Sequence, residues 1–296
     1  MDNMRGSILM VIAMLAFAIE DMFIKQMTAA LPVGQILAII GLGGGLACLL
    51  IATLRREPTF SRDLLHPAIF ARACSEMIGS VAFVTALSLI DLSVASAILQ
   101  AAPLVVTAGA ALFLAEAVGW RRWLAIAVGF VGVLLILRPG LEGFEINTLW
   151  AVLGVLCLGS RDLFTRLIPP AIKTAQISTT SFLALVPAGL VAMAFAGDGF
   201  VAPDRTDTLR LCASIAIGVV AYFAVVRATR IGDVAVVSPY RYSRMVFALI
   251  LGMIAFGERP DVLTVLGAAI IIGSGIFSLW REARLRRASP LDQAAL

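Results

Sequence analysis

Between Ser238 and Glu258 the sequence SPYRYSRMVFALILGMIAFGE sets two arginines and two tyrosines into an otherwise apolar run. At about 100° per residue one helical face carries Tyr240, Arg241, Arg244, Phe247, Ala248 and Leu251, and the other carries Ser238, Tyr242, Met245 and Leu249. Both guanidinium groups then project together. With a helix start near Val234, Arg244 lies roughly 15 Å along the axis, about half of a hydrocarbon core that is about 30 Å thick. A charge at that depth needs a watery cavity or a counter-ion. Two arginines on one face suit a carboxylate or a phosphate, because each presents a planar fork of donors. The bland alternative is an ion pair that holds two helices in register.

The groups that would complete such a site lie in other apolar runs. Glu76 falls about seven residues into a third helix, at a depth that suits a bridge to Arg241, and Gln100 sits among Ala, Leu and Ile in a fourth. Pro103 and Pro239 interrupt the fourth and ninth helices and free backbone carbonyls there. Asp21 with Lys25, and Asp162 with Arg166, have the i, i+4 spacing and orientation of local salt bridges. Glu20, Asp21, Arg161 and Asp162 are candidates for gates or for coupling, and Tyr222, Phe83, Tyr240 and Phe247 for an apolar lining, with ordinary packing as the alternative. A zwitterionic amino acid needs a cation for its carboxylate, an acceptor for its ammonium and apolar space for its side chain. Arg244 with Arg241, Glu76 or Glu20, and the aromatic and methionine side chains supply these in turn. The same arginines also suit an anionic metabolite such as a sugar phosphate or dicarboxylate, a reading that a Glu76 partner weakens.

The elements that must position these groups are membrane helices. Of 296 residues 60% are hydrophobic and only 14% charged, and the mean hydropathy is +0.99, values that exclude an ordinary soluble globule. Ten spans are expected, at about 6–26, 33–54, 69–90, 93–115, 121–138, 147–166, 176–196, 210–230, 234–257 and 261–280. Placing the N-terminus in the cytoplasm puts fifteen basic residues, from Arg5 to Arg287, on that side and leaves Lys25, Arg138, Arg205, Arg210 and Arg259 on the other. Both termini are therefore expected to be cytoplasmic. The net charge of +4 resides in loops and helix ends and does not form a nucleic-acid surface. Cys48, Cys74, Cys157 and Cys212 have no CxxC spacing and His66 is the only histidine, so no disulfide framework, metal site or other cofactor is expected. No HExxH or GxSxG motif occurs, which argues against a membrane-embedded enzyme.

The chain repeats itself. A shift of 142 lays Asp91-Leu92-Ser93-Val94-Ala95-Ser96 on Asp233-Val234-Ala235-Val236-Val237-Ser238 and Glu116 on Glu258; a shift of 141 lays Asp21 to Lys25 on Asp162 to Arg166. By the same shift Glu20 falls on Arg161, so matched positions carry opposite charge. Five helices per copy is an odd number, so the second copy enters the membrane inverted, as in secondary transporters. We expect one repeat over 1–141, a second over 142–282 and a basic cytoplasmic tail over 283–296.

Asp91 to Ser96 and Leu112 to Glu116, with Asp233 to Pro239, Phe256-Gly257-Glu258 and Gly267 through Gly275, resemble the drug/metabolite transporter superfamily with its paired EamA domains, and within it the ten-helix YddG-type bacterial amino-acid exporters. The resemblance spans essentially the whole chain. It implies an all-α inner-membrane carrier for small metabolites, with helices around a central cavity and the fifth and tenth helices serving packing or a homodimer contact. Membrane lipid is then the surrounding partner.

Overall fold

The computed structural model describes residues 2–57, 64, 66–114, 119–139, 145–169 and 172–287, without the side chains of 234, 235, 282, 283 and 285–287. Glu116 of the repeat motif and the tail from residue 288 lie outside the described residues. The described elements are helical: α1 (Asp2–Met27), α2 (Val33–Leu54), α3 (Pro67–Leu89), α4 (Leu92–Leu99), α5 (Ala102–Phe113), α6 (Trp120–Leu137), α7 (Thr148–Thr165), α8 (Thr174–Ala196), α9 (Arg205–Ile231), α10 (Val234–Val237), a 3-10 segment (Ser238–Tyr242), α11 (Ser243–Phe256) and α12 (Val262–Arg287). Among them nine stretches are long and apolar enough to cross a membrane, α4 and α5 counting as one over Leu92–Phe113. The tenth crossing is the broken run from α10 through α11. Helices are the only open-ended elements that satisfy every backbone group internally in lipid.

Local residues set the helix ends. His66 Nδ1 accepts the Ala68 N–H at 3.2 Å and Pro67 opens α3, where its missing N–H costs nothing. Gly197 and Gly257, at φ +73° and +67°, stop α8 and α11 in the left-handed conformation.

The closest helix pairs are α2 with α8, α1 with α9, α3 with α7, and α6 with α12. Each pair takes one member from each repeat. Two are backbone contacts made by glycine: a Cβ added at Gly34 would stand 2.3 Å from the Gly189 carbonyl oxygen, and one at Gly267 would stand 2.6 Å from that of Gly132. Lipid tails give no hydrophobic incentive for helix association, so such close fit is what holds the pairs. Between them lies a core with Ile36, Leu87, Leu92, Ile98, Leu104 and Ile271 fully buried.

One face of the bundle carries the start of α1 and the end of α9. There Asn3 Oδ1 accepts the Asp233 N–H at 2.7 Å, and Arg230 donates to Thr174 Oγ1 at 3.0 Å. On the opposite face Gln35 and Val201 exchange two hydrogen bonds, of 2.6 and 2.9 Å.

Candidate functional site

Both helices that carry prolines are broken. α4 stops at Leu99, and α5 begins at Ala102 with Pro103 in its first turn; α10 gives way to a 3-10 segment containing Pro239 before α11 starts at Ser243. Both breaks lie at the prolines where the sequence expects them, but the two arginines do not share a partner. Arg241 belongs to the 3-10 segment and is exposed. Arg244 lies in the first turn of α11 and turns inward to α1, where Nη2 donates to both Asp21 oxygens, at 2.7 and 2.9 Å, and Nε to one of them at 3.1 Å. Its guanidinium lies 5.1 Å from the centre of the Phe17 ring. Asp21 thus pairs across the repeats and not with Lys25.

Glu76 also departs from expectation. Its partner is Arg161, at 2.9 Å from α7, with Arg72 on its own helix at 3.5 Å. Arg161 continues to Asp162 at 2.8 Å. Arg72 donates to Thr165 Oγ1 at 2.9 Å and to the Ser181 hydroxyl. A buried arginine with this many acceptors satisfies the fork that a lone carboxylate leaves open. The expected Glu76–Arg241 bridge does not form: Arg161 and Arg72 take Glu76, and Arg241 is exposed. Arg241 stands within electrostatic reach of Asp162 instead.

Among the described residues two ion-pair centres join the repeats within the membrane-spanning helices, Asp21–Arg244 between α1 and α11 and Glu76–Arg161 between α3 and α7, and a third, Arg138–Asp261, joins them at the helix ends. Glu20 enters none of them. Its carboxylate rests on Gly218 of α9, where an added Cβ would meet Oε1 at 2.5 Å.

Lys25, freed from Asp21, donates to the carbonyl oxygens of Leu87, at 3.0 Å, and Ile90. These are acceptors that the end of α3 leaves unpaired. Glu258, which sequence reasoning did not assign a role, accepts from Leu92 N at 2.6 Å, Ser93 N at 3.0 Å and Ser93 Oγ at 2.7 Å. A carboxylate on the first N–H groups of α4 meets the positive end of that helix. Asp261 accepts the Thr264 N–H at 2.9 Å and bridges to Arg138. The hydrogen bonds from Thr264, followed by Arg138, hold its carboxyl below the usual carboxylate range. A cavity of about 370 Å³ opens beside Lys25, lined also by Thr28, Leu87, Ser88, Arg210 and Phe256 among others.

The expected lining residues do not gather in one place. Phe83 is buried in the core against Gly154, Tyr222 packs edge-on to Phe182 and Phe223, and Tyr240 is exposed. Phe247 packs with Met10, Met14 and Phe17 beside Arg244. Gln100 is buried and donates to the Tyr242 carbonyl.

The comparisons with known proteins agree with this architecture. The model of the EamA-like transporter family matches residues 4–138 and again 146–280. An S-adenosylmethionine uptake transporter of Rickettsia bellii (strain RML369-C) is 28% identical over 224 residues, covering 76% of this chain and 75% of its own length. A riboflavin transporter of Rhizobium johnstonii is 28% identical over 285 residues, 95% of this chain and 93% of its own. The pseudopaline exporter CntI of Pseudomonas aeruginosa is 27% identical over 275 residues, 90% and 93%. One solved crystal structure superposes with a TM-score of 0.63 at 18% identity, over 96% of this chain and 99% of its own, a likeness of fold alone. With two copies of the family's unit in ten crossings and ion pairs that knit the copies together, this chain belongs to the EamA-like transporter family and is a multi-pass small-molecule transporter of the bacterial inner membrane.

Proposed function

We propose that this carrier exports small zwitterionic metabolites, foremost amino acids with aromatic or large apolar side chains and methionine, by alternating access between its two repeats. The observation that carries the reading is the Asp21–Arg244 pair, with Phe17 against the guanidinium and Phe247 beside it. A zwitterion can divide that pair without leaving a bare charge: its carboxylate takes the Arg244 fork and its ammonium takes Asp21. An anion would displace Asp21 and leave it unpaired in an apolar setting, which is costly. That argues against sugar phosphates and dicarboxylates. S-adenosylmethionine, for which one relative is named, carries the same amino-acid head group on a bulky body. The relatives' names divide between uptake and export, so export here rests on the likeness to amino-acid exporters, with net direction following the gradient. The distribution of basic residues supports cytoplasmic termini.

Breaking Asp21–Arg244 on one side and the Glu76–Arg161 network on the other would let the repeats rock around the broken helices. The test is efflux of labelled phenylalanine and methionine from proteoliposomes against a panel of phosphorylated and dicarboxylate metabolites, with Arg244→Ala as control. Saturable amino-acid flux that the substitution abolishes supports the reading. Flux confined to the anions replaces it with an anion carrier.

A further inference from the structure

The register that relates the repeats lays Arg161 on Glu20, by 141 residues, and Gly218 on Glu76, by 142. In one half these places form an ion pair, with Arg161 Nη1 at 2.9 Å from Glu76 Oε1. In the other half the same two places hold Glu20 and Gly218, an acid facing a residue with no side chain. The pair is geometrically preserved and chemically halved. A Cβ added at Gly218 would stand 2.5 Å from Glu20 Oε1, 2.9 Å from Cδ and 3.0 Å from Oε2, so the carboxyl occupies the space from which a partner would reach it.

No counter-ion is supplied from the surrounding elements. Among the described residues Glu20 has no hydrogen bond or ion pair. Its charged neighbours are Asp21 on α1 and Arg244 on α11, and these are engaged with each other. α9 presents Gly218 and, a turn later, Tyr222, packed on Phe182 and Phe223. α3 carries Glu76 and Arg72, both held in the Arg161 network. The 3-10 segment carries Arg241, which is exposed and near Asp162. α4 and α10 contain no titratable side chain. A carboxylate within a membrane helix without a counter-charge is costly, and one bound positive charge removes that cost. A metal cation would require room and several oxygen ligands around it, and among the described residues no three His, Cys, Asp or Glu side chains converge to supply them. A proton needs no such space.

We propose that Glu20 is a proton-binding site through which this carrier couples cargo movement to a proton gradient. Its carboxylate takes one proton from water on one side of the membrane to become a neutral acid lying against Gly218. When the α1–α9 contact opens to the other side, the proton returns to water and the carboxylate is regenerated. No electron moves and no other bond changes. The coupling rests on the carrier reading, whereas proton binding at Glu20 does not.

The first test therefore needs no cargo. Purified protein in lipid is titrated with acid while the C=O stretch of protonated carboxyls is followed by infrared difference spectroscopy, with deuterium exchange for assignment. The expected result is one band in the wild type that is missing in Glu20→Gln and in Gly218→Lys, where a fixed ammonium supplies the counter-charge. A band that persists in folded Glu20→Gln, or its absence from the wild type, overturns the proposal. The second test uses proteoliposomes loaded with a pH-sensitive dye. Methionine or phenylalanine flux is expected to move protons in the wild type and not in Glu20→Gln. Flux without proton movement overturns coupling. If neither amino acid is carried, the amino-acid reading fails while the infrared result still decides the site.

Discussion

Gln100 and Tyr242 stand 142 residues apart, one repeat period, and they touch: Gln100 Nε2 donates to the Tyr242 carbonyl oxygen at 3.3 Å. Each marks the break in its own crossing, and both are buried. The bond therefore lies where the two repeats meet through equivalent positions. Gln100 thus ties the break of one crossing to the break of the other. Substituting Gln100→Leu is expected to destabilise the protein by about 1 kcal/mol, in the range of hydrogen bonds between membrane helices. Thermal unfolding in detergent measures it, and an unchanged midpoint would show that Tyr242 finds another donor.

The Glu76 network should respond unequally to loss of its members. Glu76→Gln removes the acid that bridges Arg72 and Arg161 and leaves the two cations with Asp162 alone. A loss of about 3 kcal/mol or more is expected, read as reduced folded yield. Arg161→Gln leaves Glu76 with Arg72, so folded protein should persist while flux falls.

Glu258→Gln weakens the three hydrogen bonds that tie the end of α11 to the start of α4. A capping interaction of this kind is worth about 1 kcal/mol. Hydrogen exchange at the Leu92 and Ser93 amides should rise selectively in the variant. Uniform exchange across the protein would instead indicate global loosening.

Asp261 supplies a pH dependence with a defined sign. Its carboxyl is held below the ordinary range by Thr264 and Arg138, so the folded state favours the ionised form. The stabilisation is present above the usual carboxylate pKa and is lost as pH falls through the depressed one. The thermal midpoint of the wild type should therefore fall toward that of Asp261→Asn in acid and exceed it near neutrality. Parallel curves at all pH values would remove Asp261 as the cause.

The crossings, the inverted repeat and both helix breaks were legible because they follow from run length, self-similarity and proline chemistry. The partners of the charges were not. The i, i+4 rule paired Asp21 with Lys25, but Arg244 from the other repeat offers a bidentate fork, and the open carbonyls at the end of α3 take the lysine. The helical wheel put Arg241 and Arg244 together, but a wheel does not say which neighbour each side chain meets: Arg241 is exposed, whereas Arg244 turns to Asp21 on α1. The cap made by Glu258 joins residues 166 apart, a separation outside any local rule. The one available signal was the repeat itself, which matches Glu116 with Glu258 and Asp91 with Asp233 at the same shift.

The closest helix pairs, α1 with α9, α2 with α8, α3 with α7 and α6 with α12, all take one member from each copy. Neither copy buries its own principal faces, so the segment between them does not separate two independent folding units. During synthesis the first five crossings must wait in the bilayer, their glycine faces open, until their counterparts have been inserted. A chain truncated after the first copy would meet the quality-control machinery as an unassembled subunit, and the repeats behave as a dimer whose subunits happen to share one polypeptide.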